Sequence, residues 1–361
     1  MTQSAGPADN DSTLRWDVGT AYELFVSLDV LHEPELFDLR PAWAAKIRAR
    51  IPAPERTFLE ETSTFNSPFG WVHNLSQPKN TLAVLSALQQ IAPARRSIAL
   101  LNLENENKPE SKCLMEIAER GSWDRKDMAA LMPILCKEET SKKEQALVKY
   151  LNWWSRPEDF GRMLLSALQA YHQAFFEQEE KRVEPILQTG LQHAKQAAER
   201  LSIPDLITEL SRGIRYAEPI GKELIIVPTF WMTPLVHLGK MNENQTLFLF
   251  GVRPPTMSLI PGELVPDGLL ISLKALADPT RLKILRYLSE QELTPSELSR
   301  RLNLRAPTVT HHLKELRLAG LVNVTLHGQE KLYRARLEAL EPIHMSLRDF
   351  LKSNSTESDP Q

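Results

Sequence analysis

The sequence predicts a mainly α fold: a helical N-terminal domain with a small antiparallel β-hairpin or sheet, then a C-terminal domain of short helices closed by a second hairpin. Three observations lead there. Apolar residues recur at intervals of three and four through most of the first 210 positions. Short β-branched and aromatic runs are confined to 224–252 and 321–336. A stretch rich in proline and glycine separates the two regions.

At 361 residues the chain is long enough for at least two domains. With 42% apolar and 25% charged residues it belongs with globular rather than disordered proteins. No window approaches eighteen consecutive apolar residues, and MTQSAGPADNDST lacks the basic start and apolar run of a signal peptide, so a cytoplasmic protein with no membrane partner is expected. Cys113 and Cys136 stand alone, which encodes neither a disulfide framework nor a zinc site. The net charge of −3 hides an asymmetry: Ile271 to Lys352 holds 14 Lys and Arg against 9 Asp and Glu, whereas the residues before it are acidic. A basic module on an acidic body suits a duplex-binding domain attached to a non-binding one.

Residues 1–16 are read as a disordered N-terminus and 353–361 as a disordered tail. Between them 17–255 forms the helical domain, 256–268 a linker and 269–352 the C-terminal domain. Val18–Leu31, Pro41–Ala49 and Pro54–Glu61 read as helices, Phe65–Trp71 as an ordered aromatic loop, and helices resume at Thr81–Ile91, Ser111–Arg120, Arg125–Cys136 and Lys142–Trp154. Ser155-Arg156-Pro157-Glu158 has capping-box spacing and opens a helix with Phe160, Leu164, Leu168, Tyr171 and Phe175 on one face. A further helix follows Glu184-Pro185, and a short one spans Pro204–Arg212. Leu224–Trp231 and Thr246–Val252, with the turn-prone Met241–Asn244 between them, predict a pair of antiparallel strands.

The C-terminal domain is a series of marked helix starts. Asp278-Pro279 supplies an N-cap and a first-position proline, and Leu282, Ile284, Leu285 and Leu288 give the apolar face of the helix they open. Thr294-Pro295-Ser296-Glu297 is a capping box, and a turn at Asn303-Leu304 follows its helix. On the next helix, Ala306–Ala319, Val309, Leu313 and Leu316 share a stripe that leaves Thr310, His311 and Lys314 near the opposite face. Hydroxyls and imidazoles can bond base edges and a lysine suits a phosphate. Thr308 and His312 fall on the flanks, open to either a core or a DNA-facing role. Gly320 ends the helix, and Leu321–Leu326 and Lys331–Arg336 form strands around His327-Gly328-Gln329-Glu330. At that tip His327, Gln329 and Lys331 are candidates for backbone or minor-groove contact, though such a turn is equally ordinary on a solvated surface. A last helix, Glu341–Lys352, presents Ile343, Leu347, Phe350 and Leu351.

ALADPTRLKILRYL, TPSELSRRLNL, APTVTHHLKELRLAGLV and LYRARLEAL, in that order and spacing across Leu269 to Lys352, resemble the ArsR family of winged helix-turn-helix regulators. The resemblance implies double-stranded DNA as partner, a homodimer formed through the first and last helices of the domain, a two-fold-symmetric operator, and repression relieved by an effector. Two features depart from the family. The segment Ser296–Leu302 has no cysteine and the last helix has His344 alone, so no metal site of the family's kind is encoded. Arg305 stands where relatives carry a small hydroxyl cap, and its charge opposes the helix dipole while suiting a nearby phosphate. GTAYELFVSLDVL with PAWAAKIRARIP also resembles the start of a poorly characterised helical domain found ahead of such winged helices.

The helical domain encodes no cofactor motif and no catalytic set: it has no GxGxxG, no phosphate loop and no HExxH, and its histidines are scattered. Trp153, Trp154, Tyr171, Phe230 and Trp231 are candidates to line a pocket for a small-molecule effector, or else form the core. The leading reading is a sequence-specific DNA-binding transcription regulator without enzymatic activity. The alternatives are a DNA-binding enzyme that modifies a small molecule and a protein-interaction scaffold that no longer reads DNA.

Overall fold

The computed structural model describes residues 13–37, 39–62, 68–103, 108–136, 141–216, 221–260, 265–327 and 330–353. The elements in chain order are β1 (Thr13–Trp16), α1 (Thr20–His32), α2 (Pro41–Arg48), α3 (Ala53–Thr62), α4 (Phe69–His73), α5 (Thr81–Gln90), α6 (Arg96–Leu100), α7 (Pro109–Arg120), α8 (Arg125–Leu135), α9 (Ser141–Trp154), α10 (Pro157–Tyr171), α11 (Glu177–Ala198) and α12 (Ile203–Leu210). They are followed by β2 (Ile214–Tyr216), β3 (Glu223–Thr229), β4 (Val236–Lys240), β5 (Gln245–Gly251), α13 (Asp267–Leu276), α14 (Pro279–Glu290), α15 (Pro295–Leu302), α16 (Ala306–Leu318), β6 (Val322–His327), β7 (Glu330–Ala335) and α17 (Leu340–Ser353). The chain is mainly α with two small sheets, as its periodicity predicts. Among the described residues no helix is long and apolar enough to cross a membrane. Two compact units divide the chain, Asp17–Gln188 and a second made of Met1–Trp16 with Thr189–Gln361, so the division falls within α11.

Among its described residues the Asp17–Gln188 unit contains helices and no strand. Its N-terminal helix α1 is apolar around most of its circumference and buried accordingly, with Ala21, Leu24, Val30 and Leu31 fully enclosed. A polar network secures its start: the buried Asp17 carboxylate accepts from Tyr22 Oη (2.7 Å), His73 Nδ1 (2.8 Å) and Lys79 Nζ. Burial alone would raise this carboxyl's pKa, but those three hydrogen bonds outweigh it and hold the group below the ordinary aspartate value. Glu180 of α11 accepts from the Thr20 hydroxyl (2.6 Å) and the Thr81 amide (2.9 Å), linking α1, α5 and α11. At Gly161 of α10 an added Cβ would lie 1.8 Å from the Pro93 carbonyl oxygen, so only glycine permits this approach, and Arg96 donates to the Gly161 carbonyl across it (3.0 Å).

Several expectations change in this unit. Ser155 does not cap α10; Arg156 stands at the cap position without a side-chain bond, and the Ser155 hydroxyl donates to the Asn152 carbonyl instead. Pro185 does not separate two helices but lies inside α11. Apolar packing of Val183, Leu187 and Leu191 on both sides of it holds the helix through the missing hydrogen bond. A π turn at His172–Phe176 joins α10 to α11, and its extra residue lets Tyr171, Phe175 and Phe176 all face inward. Within the expected loop 65–71, residues 65–67 lie outside the described set, while Phe69 onward is the helical turn α4. Burial and the neighbouring Asp127 push the Cys113 thiol up to about 11, and Cys136 is buried.

In the second unit the larger sheet has the order β1-β3-β5-β4. The expected antiparallel pairing of 224–231 with 246–252 is corrected here. β3 and β5 are parallel, in register from Glu223↔Gln245 to Thr229↔Gly251, and the turn at 241–244 joins β5 to the antiparallel edge strand β4. Both central strands are buried along nearly their whole length. That pattern belongs to strands covered on two faces, whereas a hairpin with one solvated face would alternate. Leu206 and Ile207 of α12 pack on Leu224, Ile226, Phe248 and Phe250. Thr13–Trp16, expected to be disordered, is a strand parallel to β3, with Leu14 and Trp16 half-buried and Arg15 paired to Glu223.

Replacing Asp17 with alanine leaves the buried Lys79 ammonium unpaired and should cost about 3–5 kcal/mol in chemical denaturation of the full chain. Because its folded pKa is depressed, Asp17 contributes stability above the unfolded value of about 3.9, lost as pH falls through the folded one. Asp17→Asn should therefore flatten the acid limb of the stability profile.

Candidate nucleic-acid interface

Local capping chemistry builds the helix pair. Asp278 Oδ1 accepts from the Arg281 amide (2.9 Å) at the start of α14. Thr294 and Glu297 form the predicted capping box, the Glu297 carboxylate accepting from the Thr294 amide (2.8 Å) and the Thr294 hydroxyl from the Glu297 amide (3.3 Å). Asn303 turns left-handed (φ 53°) after α15, and the Leu304 amide reaches back to the Ser299 carbonyl (3.1 Å). After α16, Gly320 (φ 69°) and Leu321 close a Schellman motif on the Arg317 and Leu316 carbonyls (both 2.9 Å). Ile284, Leu288, Leu298, Val309, Leu313 and Leu316 form the core between α14, α15 and α16, capped by Val322, Val324 and Tyr333 of the β6–β7 hairpin.

That core fixes what α16 shows to solvent. Val309, Leu313 and Leu316 are buried, and Thr308, Thr310, His311 and Lys314 are exposed. The Thr310 hydroxyl donates to the Ala306 carbonyl (3.0 Å), which leaves its oxygen as an acceptor. His312 is drawn inward, its Nδ1 4.0 Å from Asp278 Oδ1, and burial pulls its pKa below the ordinary histidine value against the attraction of that carboxylate. The structure thus sets His312 apart from the outward group. Arg305 is exposed at the N-cap of α16 with no side-chain cap bond. Lys331 is exposed on β7, His327 closes β6, and Gln329 lies outside the described residues. Arg300 on α15 and Arg334 on β7 are also exposed. Neither belongs to the sequence-predicted set, since only the domain's positive balance hints at them.

The hairpin is part of a larger sheet than its sequence shows. β2 pairs parallel with β6 (Ile214↔Val324), giving the order β2-β6-β7, and Leu293 bridges to Tyr333. A segment some hundred residues earlier thereby abuts the wing.

Four of the five aromatic candidates for an effector pocket are buried in the core. Trp154, Tyr171, Phe230 and Trp231 are fully buried. Trp154 meets Phe160 edge-on (5.4 Å between ring centres), Tyr171 stacks with Phe176 (6.1 Å) and Phe230 packs against Trp231 (6.2 Å). Trp153 is half-buried, lies edge-on to Phe58 (4.9 Å) and donates to Glu61 (3.0 Å). Aromatic side chains at helical spacing are the largest apolar groups available to fill these interiors, and they do so here.

Residues 278–324 match the model of the family described as bacterial regulatory protein, arsR family. The arsenical resistance operon repressor of Staphylococcus xylosus is 37% identical over 75 residues, 21% of this chain and 72% of that protein. The chain belongs to the arsR family. The transcriptional repressor SdpR of Bacillus subtilis is 32% identical over 84 residues, 23% of this chain and 93% of SdpR. The solved structure of HlyU from Vibrio cholerae shares 35% identity over 24% of this chain and 94% of HlyU, at a TM-score of 0.19. The arsR-family domain is a DNA-binding regulatory module.

Because its cap bonds are local, Thr294→Ala should lower the stability of the arsR-family domain by about 1 kcal/mol. Gly320→Ala meets no atom within 4 Å and should cost only the left-handed backbone strain, about 1–2 kcal/mol. Thermal melts of the full chain check both.

Proposed function

We propose that this protein is an effector-responsive transcription repressor that acts as a homodimer and reads a two-fold-symmetric operator with α16 in the major groove. The exposed face of α16 carries this reading. Thr308, Thr310, His311 and Lys314 form a polar, basic surface opposite a fully apolar one, which a scaffold that ignores DNA would not need. Thr310 and His311 are assigned to base edges, Lys314 and Arg305 to phosphates, and Thr308, Lys331, His327 and Gln329 to flanking contacts. His312 acts from behind, positioning α16 against α14.

The dimer reading is supported by apolar side chains left in water on α13 and α17, the first and last helices of the domain. Leu270 is 38% exposed, Met345 44% and Leu351 67%. A second copy would cover them. Repression is suggested by the roles in the names of the S. xylosus and B. subtilis relatives.

Selection of genomic fragments by the full-length protein at about 150 mM salt, beside a Thr310/His311/Lys314 triple-alanine variant, tests the reading. A two-fold-symmetric motif recovered by the wild type alone is expected; its absence from a folded protein favours the scaffold. On the recovered operator, Lys314→Ala should weaken binding to all sequences and reduce the salt slope by about one. Thr310→Ala should relax discrimination at particular base pairs by about 1–3 kcal/mol.

A further inference from the structure

The unit made of 1–16 and 189–361 contains a cavity of about 370 Å³, at the lower end of the size that takes a small molecule. Its walls come from the α12–β2 turn, the loop after β5, α13, the end of α16, the β7–α17 connection and α17. Much of the lining is apolar, including Met257, Ile271, Leu318 and Ile343. Into the same space come three arginines, Arg212, Arg253 and Arg336, against two carboxylates, Glu209 and Glu338.

The three cations are not equivalent. Arg253 is buried and neutralised by Asp267 (3.2 Å). Arg336 lies 3.4 Å from Glu338, whose side chain is itself largely in water. Arg212 has no carboxylate or hydrogen-bond partner for its guanidinium among the described residues. Burial, and after it the like charge of Arg336, pull its pKa below the ordinary arginine value. Its backbone is also left-handed (φ 57°), a conformation that suits glycine or asparagine better than arginine. Arg212 and Arg336 thus line the same partly apolar cavity, and the planar fork of an arginine matches an anion, a carboxylate in particular.

We propose that this cavity binds a small organic acid, its carboxylate held by Arg212 and Arg336 and its apolar body lodged against Ile271, Leu318 and Ile343. The site is wired to the DNA-binding surface at both arginines. Gly213, next to Arg212, accepts from the Val324 amide of β6 (2.8 Å), and the Arg336 amide donates to the Leu321 carbonyl just past the cap of α16 (2.9 Å). A carboxylate bridging the two arginines therefore sets the wing sheet against the end of the groove-facing helix. The effect on DNA rests on the effector-responsive reading; the binding itself does not.

Calorimetric titration of the full chain with benzoate and hexanoate, beside benzyl alcohol, 1-hexanol and inorganic phosphate, tests the site. At least one carboxylate should bind saturably at one per chain while its neutral alcohol does not. Affinity should fall at least tenfold in Arg212→Asn, which suits the left-handed backbone, and in Arg336→Gln. Ligand-free melts verify that each variant folds, and Arg336→Gln decides alone if Arg212→Asn does not. No saturable binding by either carboxylate, equal binding by folded variants, or binding of phosphate alone overturns the proposal. Operator affinity is then measured with and without the bound acid: an unchanged value removes the effector reading and leaves the cavity assignment standing.

Discussion

The buried Arg253 guanidinium is the constraint around which the C-terminal half is arranged. Taking such a charge out of water costs several kcal/mol unless it is paired and hydrogen-bonded, and its side chain is only 3% exposed. Asp267 meets it from the first turn of α13, where the helix dipole also favours a carboxylate. The same carboxylate accepts from the Ser258 hydroxyl (2.8 Å) and the Leu259 amide (2.6 Å). On its other side Arg253 donates to the Thr233 carbonyl and lies over the Phe230 ring. The stretch 256–268 reads in sequence as a linker; Ser258 and Leu259 within it bond to Asp267, and α13 starts inside it.

The four-stranded sheet is joined through α12 to β2, and β2 lies along the wing strand β6. The winged helix is therefore an extension of a mixed α/β body, with a cavity where the two meet. An arsR-family domain needs only its own helices and hairpin to present α16. Here an additional strand, β2, lies along the hairpin, and an additional ion pair, Arg253 with Asp267, ties the start of α13 to the preceding loop.

The Asp17–Gln188 unit is held differently, by aromatic packing and by carboxylates that collect several donors each. Asp17 and Glu180 gather groups from segments far apart in sequence. Such clusters resemble catalytic sets in composition. Their carboxylates are occupied by internal partners and tie these segments together.

The residues proposed to address DNA were legible because their placement depends on nearest neighbours. Asp278, the Thr294/Glu297 box and Gly320 announce helix ends through bonds within one turn, and Val309, Leu313 and Leu316 orient α16 by periodicity alone. Sequence alone thus determined the helix-turn-helix, the hairpin and the outward face of α16, whose energetics are local. Tertiary structure decided the parallel pairing of β3 with β5, the recruitment of Thr13–Trp16 and Ile214–Tyr216 as strands, and the inward turn of His312. It also decided the passage of α11 through Pro185 and the placing of Arg212 and Arg336 in the wall of one cavity. In each of these the favourable energy comes from a partner distant in the chain or from burial, neither of which leaves a mark in the residues on either side.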